Sequence, residues 1–227
     1  MERIQFTNMN EIILEGPIVR KFKNDVACNL TIKVLRKNLA TRAIDEESLY
    51  NYPEISFYGT EKDIADNYKE GDVVKIKGMI QVKPKLSKET DKEYYEQQLV
   101  GFEIEEAEKV LMREFGYDEG AYVASNSMVK LGGVISRLTS PSNGVLRINI
   151  RTFTNGRVNN IQTFLYTRNI GDYLAKYHIG DRIFAIGTIQ TPDRNKIRKA
   201  NAESKTEDKK TQHFFRNIVL DAICKAD

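Results

Sequence analysis

The chain has no tryptophan, two cysteines and two histidines among 227 residues. Each scarcity closes a class of chemistry. Cys28 and Cys224 stand in separate apolar runs without C-x-x-C spacing, which argues against a zinc site or a disulfide framework and makes both small core residues. His178 falls at the end of a helical pattern and His213 opens a strand, so neither has an evident catalytic partner. No G-x-x-x-x-G-K-S/T, G-x-S-x-G or H-E-x-x-H motif occurs, and no two carboxylates pair at a spacing that singles them out. Neither an enzyme nor a metal or cofactor site is expected. There is no run of eighteen apolar residues, and the first ten residues lack the basic start and apolar centre of a signal peptide. A cytoplasmic protein with no membrane association is expected. Neither sign of charge dominates: 35 Lys and Arg against 32 Asp and Glu leave a net +3, too mild to announce nucleic acid by itself.

What is present is an ordinary globular composition, 41% apolar and 30% charged, long enough for two domains of about a hundred residues. An internal repeat supports two. Gly71-Asp72-Val73-Val74-Lys75-Ile76-Lys77-Gly78-Met79-Ile80-Gln81 matches Gly180-Asp181-Arg182-Ile183-Phe184-Ala185-Ile186-Gly187-Thr188-Ile189-Gln190 without a gap. Each Gly-Asp follows a short helical pattern, and the strand from Ile12 to Phe22 lines up with that from Met128 to Leu138, placing Gly16 opposite Gly132. Period-two patterning predicts strands near 10–22, 25–36, 53–59, 72–83 and 97–110 with a helix near 61–69, repeated at 127–138, 144–153, 161–167, 181–191 and 213–225 with a helix near 169–178. Five strands with one helix after the third is the order of the five-stranded Greek-key OB barrel. The expectation is an all-β protein of two tandem OB barrels, 1–111 and 126–227, joined by a linker at 112–125.

With that order in place, the chain resembles the bacterial and phage single-stranded-DNA-binding protein family. Asn10 to Gly16 and Asn126 to Gly132 resemble its opening Asn-x-hydrophobic-x-hydrophobic-x-Gly strand; Ile55-Ser56-Phe57-Tyr58-Gly59 and Thr163-Phe164-Leu165-Tyr166-Thr167 resemble its third. The resemblance implies sequence-nonspecific binding of single-stranded DNA in replication, recombination or repair. It also implies a homodimer, its opening strands pairing between chains and two chains supplying four barrels. The acidic, phenylalanine-tipped tail of many cellular members has no counterpart at Ile223-Cys224-Lys225-Ala226-Asp227. Recruitment of replication or recombination proteins through such a tail is therefore not expected, and a phage or mobile-element type is.

Single-strand binding needs cations for phosphates and exposed aromatic faces for bases, each stacked base contributing about 1–3 kcal/mol. Without Trp, stacking falls to Phe and Tyr. In OB folds the relevant surface is the second and third strands with the loops joining strands one to two and four to five. In the first barrel this selects Arg20, Lys21 and Phe22 at the first hairpin, Lys33 and Arg36 on the second strand, Phe57 and Tyr58 on the third, and Lys83, Lys85, Lys88, Tyr94 and Tyr95 around the last hairpin, where Glu89, Asp91 and Glu93 weaken the field. In the second it selects Arg147, Arg151, Phe153, Arg157 and Tyr166, with Arg194, Lys196 and Arg198 in a long basic loop. Phe57 and Tyr58 point opposite ways, so at most one can stack. Phe164 and Tyr166 share a face that alternation leaves open to either core or solvent; Tyr58 and Tyr166 are favoured as exposed because a buried phenol needs a partner. The alternative is an OB module that binds RNA or protein partners in replication or conjugation, since the fold does not fix the ligand.

Overall fold

The structure is a computed structural model and describes residues 7–35, 50–86, 93–107, 126–191 and 217–226. The N-terminal half contains β1 (Met9–Lys23), β2 (Ala27–Ile32), the short β3 (Val34–Leu35) and β4 (Tyr50–Asn51), β5 (Glu54–Tyr58), helix α1 (Thr60–Asp66), β6 (Val73–Leu86) and β7 (Glu93–Glu106). The C-terminal half contains β8 (Asn126–Ser142), β9 (Val145–Thr154), β10 (Arg157–Tyr166), α2 (Ile170–Lys176), β11 (Arg182–Gln190) and β12 (Asn217–Lys225). Apolar residues at every second position supply the cores. On β1 these are Ile12, Leu14 and Ile18, all buried, and on β9 Leu146, Ile148 and Ile150.

In each half the first strand is long enough to serve two neighbours. The early part of β1 pairs with β6 and its end with β2; β2 continues to β5, which runs parallel to β7, and β7 returns to β6. That closes a five-stranded barrel, and β8, β9, β10, β12 and β11 close a second one in the same order. The fold is the all-β tandem OB architecture read from the sequence. The linker at 112–125 lies outside the described residues.

The repeat is deeper than the sequence match, and its register differs by one residue. The β1 bulge between Ile18 and Arg20 corresponds to the β8 bulge between Ile135 and Arg137. Ile18 donates its N–H to Asp72 O and Ile135 donates to Asp181 O, each at 2.9 Å. Gly16 is therefore the counterpart of Gly133, and the alignment with Gly132 slips by one. In a strand such a slip exchanges the faces: the corrected register sets buried Ile12, Leu14 and Ile18 on buried Val129, Leu131 and Ile135. At both Gly16 and Gly133 a Cβ would meet a neighbouring backbone carbonyl, Lys33 O between β2 and β3 at 2.3 Å and Arg151 O on β9 at 2.5 Å, so only glycine allows the close crossing. The Gly-Asp turns are also superimposable. Gly71 and Gly180 have φ of 93° and 96°, and Asp72 and Asp181 each accept the N–H three residues back at 2.8 Å.

The barrels join through their opening strands. β1 and β8 pair antiparallel from Met9–Gly132 to Glu15–Asn126. Ile12 and Val129, equivalent in the repeat, face each other, so a pseudo-twofold axis passes between them. Glu11 and Lys130, which flank this pair, form an ion pair at 3.1 Å. The same axis relates two buried asparagines: Asn159 Oδ1 accepts the Val82 N–H and Asn51 Oδ1 accepts the Thr191 N–H, both at 2.9 Å across the junction. With β2, β6 and β8 all paired to β1, the opening strands meet within the chain, which corrects the expectation that they pair between chains.

Two smaller expectations change. Cys28 is buried, and burial pushes its thiol pKa up, but Cys224 is exposed: it stands opposite Phe184 on the side of the β11–β12 pair that carries exposed Ile186 and Ala222. The β6–β7 hairpin is longer than the patterning predicts, reaching Leu86 and resuming at Glu93, because cross-strand pairing continues through Lys83–Glu96, Pro84–Tyr95 and Lys85–Tyr94.

Candidate nucleic-acid interface

The β9–β10 hairpin turns at Asn155-Gly156, both with positive φ (52° and 71°), the two-residue arrangement whose twist matches the flanking strands. This fixes a register in which alternate residues face outward as cross-strand pairs: Val145 with Tyr166, Arg147 with Phe164, Asn149 with Gln162, Arg151 with Asn160, and Phe153 with Val158. Arginines and aromatics thus interleave on one face. Tyr166 and Phe153 are 56% and 55% exposed, and Phe164 is half-buried among them. Arg147 rests against β8, its Nε donating to Thr139 Oγ1 at 3.2 Å, while Arg151 and Arg157 extend into solvent. Among the described residues none of these three arginines is ion-paired. Cations without counter-ions beside open rings can meet phosphates and bases in alternation.

Charge placement reinforces this. From Glu119 to Asp172 not one Asp or Glu intervenes, in a chain with 32 of them. This acid-free span contains β8, β9 and β10 whole. It is legible in the sequence but easily lost beneath a net charge near zero, and it brings in two further residues. Arg137 is exposed and is the repeat counterpart of Arg20, and Phe164 is the cross-strand partner of Arg147.

The first barrel's equivalent face is differently built. Tyr58 is the counterpart of Tyr166, Ser56 of Phe164 and Asn29 of Arg147. Tyr58 is half-buried: its hydroxyl accepts a hydrogen bond from Gln98 Nε2, and Lys83 Nζ lies 5.1 Å from the ring centroid. One face of that ring already has a cation over it. Phe57 is fully buried and belongs to the core, which removes it as a stacking residue; it fills the space beside Gly101, where a Cβ would lie 2.4 Å from the ring. In the second barrel a leucine pair, Leu165 and Leu220, occupies the same place.

Several of the first barrel's cations serve the fold. Lys21 Nζ donates to Asp66 O at 2.6 Å and Tyr68 O at 2.9 Å and pairs with Asp66 Oδ1 at 2.7 Å, which caps the end of α1 and uses all three of its protons. That corrects its reading as a phosphate contact. Lys23 pairs with Asp66 Oδ2. The Asp66 carboxyl, hydrogen-bonded by Lys21 and then by Lys23, is held at about 2, below the ordinary 3.8. Lys85 pairs with Glu96, which raises its pKa. Lys33 lies 4.0 Å from the Tyr50 ring centroid. Arg20, Phe22 and Tyr95 remain exposed, and Tyr94 is half-buried beside Lys85. Arg36, Lys88, Arg194, Lys196 and Arg198 lie outside the described residues.

No group of His, Cys, Asp and Glu suited to a metal occurs among the described residues, and no described helix is long and apolar enough to cross a membrane. No family model and no curated protein matches the sequence. Among solved structures, the chain is similar over its length to the single-stranded DNA binding protein from Thermus aquaticus. A deletion mutant of that protein matches with a TM-score of 0.60 at 15% identity, over 100% of this chain and 97% of that one. The wild type matches with 0.60 at 14% identity, over 97% and 94%. At such identity the likeness shows the fold.

Proposed function

We propose that the protein binds single-stranded DNA without sequence preference and without catalysis, using the outward face of β9–β10 as its main surface. The observation that carries this reading is the ladder of Arg147, Arg151, Phe153, Phe164 and Tyr166 on one face of an OB barrel, inside a span with no acidic residue. The whole-length likeness to a protein named as a single-stranded DNA binder supports it, as does the family resemblance of the opening and third strands. Sequence is not read, because rings and guanidinium groups meet any base and any phosphate. A role in replication, recombination or repair, of phage or mobile-element type and in the cytoplasm, is the setting this reading fits. The two barrels act as domains spanning 1–111 and 126–227. A homodimer also fits the tandem resemblance; since the opening strands are used within the chain, it would form through another surface, and sedimentation velocity tests it.

The direct test is fluorescence-anisotropy titration of labelled oligo(dT), the matching duplex and oligo(U) at low and high salt. Tight binding to oligo(dT) over duplex is expected, with log affinity falling by roughly 0.7 per phosphate neutralised for each decade of salt. Binding of oligo(U) with higher affinity would favour RNA, since a preference for ribose needs a contact to the 2′-hydroxyl. No binding at low salt would overturn the reading in favour of a module for protein partners.

A further inference from the structure

The β6–β7 hairpin has two chemically distinct faces. Directly opposed residues of an antiparallel pair share a side, so Lys83 with Glu96 and Lys85 with Tyr94 form one face, and Val82 with Gln97, Pro84 with Tyr95 and Leu86 with Glu93 the other. The first face turns to its own barrel, where Lys83 covers Tyr58 and Gln98 bonds Ser56 and Tyr58. The second turns to the other barrel. Gln97 bonds both backbone groups of Gln162 on β10, donating to its carbonyl at 3.3 Å and accepting its N–H, and Val82 N–H reaches Asn159. Two residues beyond Gln97 on that face stands Tyr95, 69% exposed, beside exposed Pro84 and Leu86. Gln162 itself is the middle rung of the arginine-aromatic ladder, next to Phe164.

We propose that this hairpin is shared between the barrels: Tyr95 stacks a base of the segment lying on β9–β10 of the C-terminal barrel, so one stretch of strand is held by both barrels together. This rests on the nucleic-acid reading above. An apolar stripe anchored by three hydrogen bonds to the edge of a cationic, aromatic face has bases as its matching occupant, because the phosphates of the same strand are met by Arg147 and Arg151. The two barrels then form one continuous site.

The absence of tryptophan makes the test clean, since Tyr95→Trp introduces the sole indole in the full chain at an exposed position. The probe is oligo(dT) of about ten nucleotides, within the span of a single OB barrel. Quenching of the introduced indole is expected, and its midpoint should weaken by at least about fivefold when Arg151→Ala and Tyr166→Ala are added. Both are exposed positions, so the fold should persist, and Lys83→Ala is the control on the hairpin's other face. Quenching that ignores the Arg151 and Tyr166 changes but responds to Lys83→Ala would overturn the sharing. So would anisotropy showing tight binding with no quenching at all. Absence of any anisotropy change would instead overturn the nucleic-acid reading itself.

Discussion

The two barrels repeat one frame and differ in how they treat charge. In the N-terminal barrel the cations are answered at home: Lys21 and Lys23 by Asp66, Lys75 by Glu105, Lys77 by Glu103 and Lys85 by Glu96. In the C-terminal barrel the arginines of β9 and β10 have no acid near them in sequence, and none is ion-paired among the described residues. Exposed pairs of the first kind contribute little to stability, but each removes a charge that a phosphate could use. The two copies thus share the glycines at the strand crossing and at the Gly-Asp turn, and the junction between them, while the cations are paired in one and left open on β9–β10 in the other.

Changes to the interior challenge the equivalence of the frames with the largest expected effects. Phe57→Ala should cost about 3–5 kcal/mol in chemical denaturation, because Gly101 leaves nothing to fill the vacated volume, whereas Leu165→Ala should cost less, as Leu220 remains beside it. A smaller but more diagnostic pair is Asn51→Ala and Asn159→Ala. Each removes the side-chain acceptor of a junction N–H, and each should cost about 1–3 kcal/mol. Similar losses would uphold the pseudo-twofold axis, and grossly unequal ones would break it.

Binding sharpens the contrast further. Tyr166→Ala should weaken oligo(dT) binding by about 1–3 kcal/mol, and Tyr58→Ala, its counterpart beneath Lys83, should weaken it less; equal losses by anisotropy would mean that the barrels share the work evenly. The smallest effect concerns pH. Asp66 has a depressed pKa, so its contribution is present above the unfolded value near 4 and is lost as pH falls through about 2. The stability difference between the native chain and Asp66→Asn should accordingly shrink across that window in acid-titrated melts, with no change above it.

The frame was largely legible because barrel strands announce themselves by alternation and because Gly-Asp recurs at a matched place. The one-residue slip in the opening strands was not, since Gly132 and Gly133 are adjacent and only the bulges and the Ile18 and Ile135 hydrogen bonds distinguish them. Site residues were harder. Tyr166 on an outward face followed from the need of a phenol for a partner or water, whereas Tyr58 found that partner in Gln98, forty residues away. Lys21 looks like any hairpin cation until α1 ends beneath it. The pairing of Gln97 with Gln162 links side chain to backbone across two barrels, and no local pattern signals such a contact.

The central claim, that bases lie on the outward face of β9–β10, is tested most directly by ultraviolet crosslinking of oligo(dT) to the protein, with the adducts located by peptide mass spectrometry. Adducts at Phe153, Phe164 and Tyr166, exceeding those at Tyr58, are expected. Adducts confined to Phe102 or Tyr173, away from that face, or spread equally over both barrels, would contradict it.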